Sequence, residues 1–168
     1  MKIKHLLFTS IFFSATASSC LFHGNVDGTL SPKGAPWTLV TTQLEVNQGG
    51  LLPIKILDGD AAFRRAMWWL NLFTRSIEQQ STLDEVYIYL TDAKLWAYFN
   101  RDNSPMLQFE NNPATLSSVE YIALSQTTLS NILSDQITIA QGVDKELVLL
   151  SPGFVWPPGS LPAKQLYL

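Results

Sequence analysis

Two histidines and one cysteine are all that the 168-residue chain holds of the residue types behind most metal centres and most nucleophile–base pairs. His5, Cys20 and His23 all fall near the start, so the rest of the chain has no imidazole for general-base work and no thiol. Charge is scarce too. Charged residues make up 15% of the sequence, the formal net charge is −3, and no basic run occurs, which excludes a phosphate-tracking nucleic-acid surface. Low charge beside 46% apolar residues also excludes a disordered chain. The longest apolar run, Leu6 to Ala17, is about a dozen residues, short of the ~20 that span a bilayer as a helix. No cofactor motif or metal-ligand spacing is present. Asp58-Gly59-Asp60 reads as a turn with Asp60 capping a helix, because no further oxygen ligands follow at loop spacing.

The chain opens with an address. Met1-Lys2-Ile3-Lys4-His5 is a basic start to the Leu6–Ala17 run, the layout of a secretory signal peptide over residues 1–19. Two processing routes fit its end. Ala17-Ser18-Ser19-Cys20 resembles a bacterial lipobox, with Ala17 where that family more often has Leu, and implies lipidation of Cys20. Ala15-Thr16-Ala17 alternatively fits small-x-small cleavage and leaves Cys20 a free thiol. Lipidation is the preferred expectation, since a lone cysteine in an oxidising compartment is otherwise a liability. By resemblance to lipoprotein sorting, Leu21 rather than Asp points to an outer-membrane protein facing the periplasm; the alternative is a soluble periplasmic or secreted protein. Residues 20–36, with Gly24, Gly28, Pro32, Gly34 and Pro36, read as a flexible tether.

Residues 37–153 then read as a single α+β domain of about five mainly antiparallel strands, one long helix and one or two short helices. Trp37–Val46, rich in β-branched residues, predicts a strand; Leu51–Leu57, interrupted by Pro53, predicts an edge strand or an extended segment. Ala61–Gln80 is the clearest helix, with Phe63, Met67, Leu70, Phe73 and Ile77 at three- and four-residue steps and Ala66, Trp69 and Leu72 widening the apolar side. Arg64 and Arg65 in its first turn are either solvated or placed to hold an anionic head group. Period-two alternation follows in 85–90 and 95–99, then short strands at 106–110 and 119–125, read together as an antiparallel meander. A short capped helix over 127–134, an approach to Gly142 and a strand at 145–150 complete the domain. Residues 154–168, with Pro157, Pro158 and Pro162, form a Pro-rich tail whose Phe154, Trp156 and Tyr167 are expected to lie over an apolar surface.

This order is similar to the sterol carrier protein family over residues 61–153. The most specific stretch is Val119-Glu120-Tyr121-Ile122-Ala123-Leu124-Ser125, then Leu129, Ile132-Leu133, Ile137-Thr138-Ile139-Ala140, Gly142, Lys145-Glu146-Leu147-Val148-Leu149 and Gly153. Three departures stand out: Asp135 where the family often has glycine, a single Gln141 between Ala140 and Gly142, and Phe154 after Gly153 where an acidic residue is common. The resemblance implies a domain sheltering an apolar molecule between sheet and helices.

Three functions follow as expectations. The first is an envelope lipoprotein domain that binds an acyl chain, a sterol-like or a quinone-like molecule against Phe63, Met67, Trp69, Leu70 and Phe73, residues that otherwise simply form core. The second is a ligand-free accessory lipoprotein that grips an envelope protein partner through Trp68, Trp96 or Trp156. The third, catalysis by Glu85, Glu110 and Glu120, is disfavoured, because their alternation with apolar residues points them to solvent. No enzyme activity, metal or cofactor is expected.

Overall fold

The computed structural model describes residues 30–80, 82–103, 106–109 and 111–157. The signal segment, Cys20, His23, Glu110 and Tyr167 lie outside them. The first element is a helix, α1 (Ala35–Asn47), where the sequence predicts a strand. Pro36 sits in its first turn, where a missing N–H is harmless. The threonines that argue for a strand turn their hydroxyls back onto the helix: Thr38 donates to Ala35 O at 2.8 Å, Thr41 to Trp37 O at 3.1 Å and Thr42 to Thr38 O at 2.6 Å. Gly34 precedes the helix at φ 94°, a left-handed conformation without strain only for glycine. Packing begins before Trp37, since Pro32 and Ala35 are buried and Trp96 Nε1 donates to Leu30 O at 2.8 Å.

Residues 51–58 form no strand. Leu51 is buried, and the Leu52 backbone bonds through both N–H and C=O, each at 2.9 Å, to the Asn131 side chain, which replaces a pairing strand. The long helix α2 (Gly59–Gln80) follows, with Ala66, Leu70, Phe73 and Ile77 in the core. Asp60 lies inside its first turn rather than at its cap, and there its charge complements the helix dipole.

The strands are β1 (Glu85–Leu90), β2 (Leu95–Asn100), β3 (Leu107–Phe109), β4 (Tyr121–Leu124) and β5 (Val148–Leu150), in the order β3-β2-β1-β4-β5. The fold is α+β, as expected, and its sheet is mostly antiparallel. It is not a simple meander. β4 crosses over to pair with β1 in parallel, Tyr87 opposite Tyr121 and Leu90 opposite Leu124. The connection from β3 to β4 is long enough for such a crossover, whereas a tight turn permits only antiparallel pairing.

Period-two alternation sorts the strands' side chains into two layers. Val86, Ile88, Leu90, Ala97, Phe99, Ile122 and Leu124 face α2 and the short helix α3 (Gln126–Leu133). Tyr89, Trp96, Tyr121 and Ala123 form the other layer with Ala35. Ser125, not a residue from Thr127 onward, caps α3 by accepting from Thr128 N at 3.0 Å. A second short helix, α4 (Ile139–Asp144), occupies the shortened approach to β5, closed by a capping box between Thr138 and Gln141. Gly142 lets α4 lie against β5, as a Cβ there would come within 2.7 Å of Val148 Cγ2. Asp135 takes the left-handed φ of 57° that suits a glycine after a helix. Of the tail, Phe154 is buried and Trp156 stacks on Phe73 at 6.1 Å. Among the described residues no helix is long and apolar enough to cross a membrane.

Candidate functional site

The five residues expected to hold a ligand are not equivalent in place. Leu70 and Phe73 are both 0% exposed within the closed core between α2 and the sheet. Phe63, Met67 and Trp69 are half-buried; Phe63 meets Phe109 edge-on at 6.4 Å, and the Trp69 ring lies under the Arg65 guanidinium at 4.7 Å. The structure thus brings Phe63 and Trp69 to the margin of the core and leaves Leu70 and Phe73 inside it.

A cleft of about 470 Å³ opens elsewhere, between α1, residues 53–56 and the start of α3. Leu39 and Val46 of α1 form one wall; Pro53, Ile54 and Ile56 form the other. Its inner end is polar, and the polar side chains of Asp92, Gln126, Thr42 and Ser125 there bond within the protein. Both Asp92 carboxylate oxygens accept from Gln126 N at 3.2 Å, and Asp92 Oδ1 also accepts from Ala93 N at 3.1 Å. Arg65 donates to Gln126 Oε1 at 3.3 Å and to the carbonyl of Lys55. Thr42 Oγ1 lies 3.2 Å from Ser125 Oγ and 3.0 Å from Thr128 Oγ1. Burial pushes the Asp92 carboxyl above the ordinary carboxylate range, although the backbone N–H groups of Gln126 and Ala93 pull the other way.

Such a cleft falls within the size range of small-molecule sites, and its apolar walls with a few convergent polar groups fit that class. Because α2 starts at Gly59, Arg64 and Arg65 lie beyond its first turn rather than in it; Arg64 is exposed, and Arg65 lines the cleft with its guanidinium engaged by protein carbonyls and the Trp69 ring. A second groove of about 610 Å³, between Trp37, Glu146, Leu149 and Phe154, lacks a comparable polar end.

The aromatic candidates for a protein partner divide in the same way. Trp68 is 54% exposed; Trp156 is half-buried on Phe73. Trp96 is 1% exposed and surrounded by Tyr87, Tyr89 and Tyr121, so it is core and not a surface anchor. Its alternation with Leu95 and Ala97 reveals the second layer, but nothing local in the sequence shows that α1 covers that layer. Glu85 and Glu120 are exposed, and Glu85 accepts from the Tyr98 hydroxyl at 2.6 Å. No group of three His, Cys, Asp or Glu able to hold a metal occurs among the described residues.

Sequence reasoning missed Thr42, Asp92 and Gln126. The four-residue spacing of Thr38 and Thr42 is the one signal that could have shown a buried hydroxyl face on a helix. Asp92 reads locally as a turn residue, and its burial comes from a segment 34 positions away. Compared with protein-family models, with curated proteins and with solved structures, the chain matches none, and the chemistry of the cleft is read from its own residues.

Proposed function

We propose that this is an exported, lipid-anchored envelope protein whose folded domain holds an apolar molecule in the cleft between α1 and residues 53–56. The observation that carries the reading is the cleft itself: apolar on two sides, with polar groups at its inner end that bond to one another. A ligand there gains by removing apolar surface from water and needs to satisfy few polar groups. Each buried CH₂ contributes about 0.8 kcal/mol, so a ten-carbon chain gains about 8 kcal/mol before ordering costs. An acyl chain, a sterol-like or a quinone-like molecule fits this chemistry. The resemblance of residues 61–153 to sterol carrier proteins supports the class, with the ligand moved from the face of α2 to the α1 side.

Binding of a fluorescent fatty acid, beside native mass spectrometry of the purified protein, tests it. Leu39→Trp fills the cleft from α1 and is expected to weaken uptake by roughly tenfold, the loss of about 1.4 kcal/mol, without loss of fold. Absence of both a retained adduct and fatty-acid binding in the parent protein overturns the reading. A second reading, a ligand-free domain that grips an envelope protein, draws on the exposed Trp68.

A further inference from the structure

Large apolar side chains on the surface are not scattered over this molecule. Among the described residues eight are exposed, and six of them, Leu30, Trp37, Val40, Leu44, Leu52 and Ile56, lie within residues 30–56. Three fall on one stripe of α1, at steps of three and four residues: Trp37 at 56% exposure, Val40 at 47% and Leu44 at 50%. The helix is turned inside out in composition, since the face it buries is Ala35, Thr38 and Thr42. Hydroxyl bonds hold that face to α3, and the outward stripe stays largely exposed, with Trp37 alone tied back by its indole N–H to Glu146.

We propose that this stripe of α1 is a bilayer-contact surface, seated in the interface of a zwitterionic membrane. The proposal rests on the anchoring reading above to bring a membrane within reach, although its test does not. Charge is the first argument. Glu45 is the one charged residue of α1, and it is paired at 2.6 Å with Lys145 on the flank toward α4. A stripe without Lys or Arg has no electrostatic call on anionic lipid, and the charge beside it, the Glu146 carboxylate at Trp37, is negative and repels such lipid. Trp37, the largest of them, already donates its indole N–H to Glu146 at 2.6 Å, so its ring can leave water without exposing a bare donor.

Placement is the second argument. About 15 residues separate Cys20 from Ala35, a length that reaches ~50 Å at most, so a lipid at Cys20 confines α1 near the bilayer. The Leu30 carbonyl, five positions before α1 begins, is held by Trp96. The cleft opens beside the stripe. Leu39, Gln43 and Val46 line it from the adjoining flank of α1, and its other lip carries Ile56 at 70% exposure. Contact along the stripe sets the mouth of the cleft against the lipid, so that an apolar molecule can pass between them with little exposure to water.

The sole cysteine makes a direct test possible. In the full chain carrying Cys20→Ala, which has no lipid attachment site, Val40→Cys receives a polarity-sensitive fluorophore and is mixed with phosphatidylcholine vesicles. Blue-shifted emission that persists as salt is raised is expected. The same fluorophore at Asn103→Cys, an exposed position in the turn after β2, toward the sheet edge remote from the β4 and β5 strands that α1 contacts, should not respond. Replacing Leu44 with Glu in the Val40→Cys background should reduce the vesicle-bound fraction roughly tenfold. No vesicle-dependent shift at Val40 overturns the proposal. So does a shift that grows with protein concentration in the absence of lipid, which assigns the stripe to a second copy of the chain. Failure of the anchoring reading shows separately, as unchanged membrane fractionation of Cys20→Ala, and it leaves the vesicle result to stand or fall alone.

Discussion

Asp92 shows how little of a residue's chemistry its neighbours in sequence disclose. Read locally it is the second residue of a Thr-Asp-Ala-Lys turn, and it remains so in the structure, between β1 and β2. The fold then lays the first N–H of α3 across its carboxylate and removes it from water. Because burial raises its pKa in the folded state above the ordinary value of 3.8, the folded protein binds a proton more readily than the unfolded one. The Asp92 contribution to stability is therefore most favourable below pH 3.8 and is lost as pH rises through the folded-state pKa. Asp92→Asn keeps an acceptor for Gln126 N and removes the titration. Urea unfolding of both proteins as a function of pH should show the parent losing ground to the variant as pH rises from that value. A difference that is flat with pH would mean that the carboxylate is solvated. Asp92→Ala removes the acceptor as well and should be less stable than Asp92→Asn by about 1 kcal/mol at every pH.

Helix α2 was legible from its sequence because one periodicity governs it throughout, and the buried residues Ala66, Leu70, Phe73 and Ile77 follow that step. The two-layered alternation of β1 and β2 was legible for the same reason. α1 was not, because its buried positions are threonines and its exposed ones apolar, so hydrophobic pattern and burial point in opposite directions. Propensity then favoured a strand, and contacts with Ser125 and Thr128, more than 80 positions away, decided for a helix. The candidate cleft depends on α1 and was illegible for that reason. Placing the site off α2 makes a further prediction at this scale. Leu70 is fully enclosed, so Leu70→Ala should lower stability by about 2–5 kcal/mol through lost contacts and a new cavity. Fatty-acid binding measured beside denaturant unfolding should change little. A small stability loss accompanied by altered chain-length preference would return the ligand to the face of α2.

For the whole molecule, the crossover that sets β4 beside β1 places the start of α3 next to the β1–β2 turn, and the cleft arises where α1 closes over that junction. The sequence resemblance begins at residue 61, so α1 and residues 53–56, the apolar walls of the cleft, precede it, while Asp92, Ser125 and Gln126 of the cleft's polar end lie within it. The two proposed attachments to the membrane differ in strength. The α1 stripe has three side chains, none more than 56% exposed, and a single buried acyl chain is itself only a marginal, reversible anchor. The stripe alone is weaker than that, and a lipid at Cys20 together with the stripe supplies the two signals that stable anchoring takes. Cys20→Ala should therefore move the protein from the membrane to the soluble fraction of a washed envelope preparation, even though the stripe still responds to vesicles at high lipid. Its melting temperature should not change, because Cys20 falls in the stretch whose sequence reads as a flexible tether. Retention of Cys20→Ala on washed membranes would mean that lipid at Cys20 is not the main attachment. The order of strengths would then be reversed, with α1 the dominant contact.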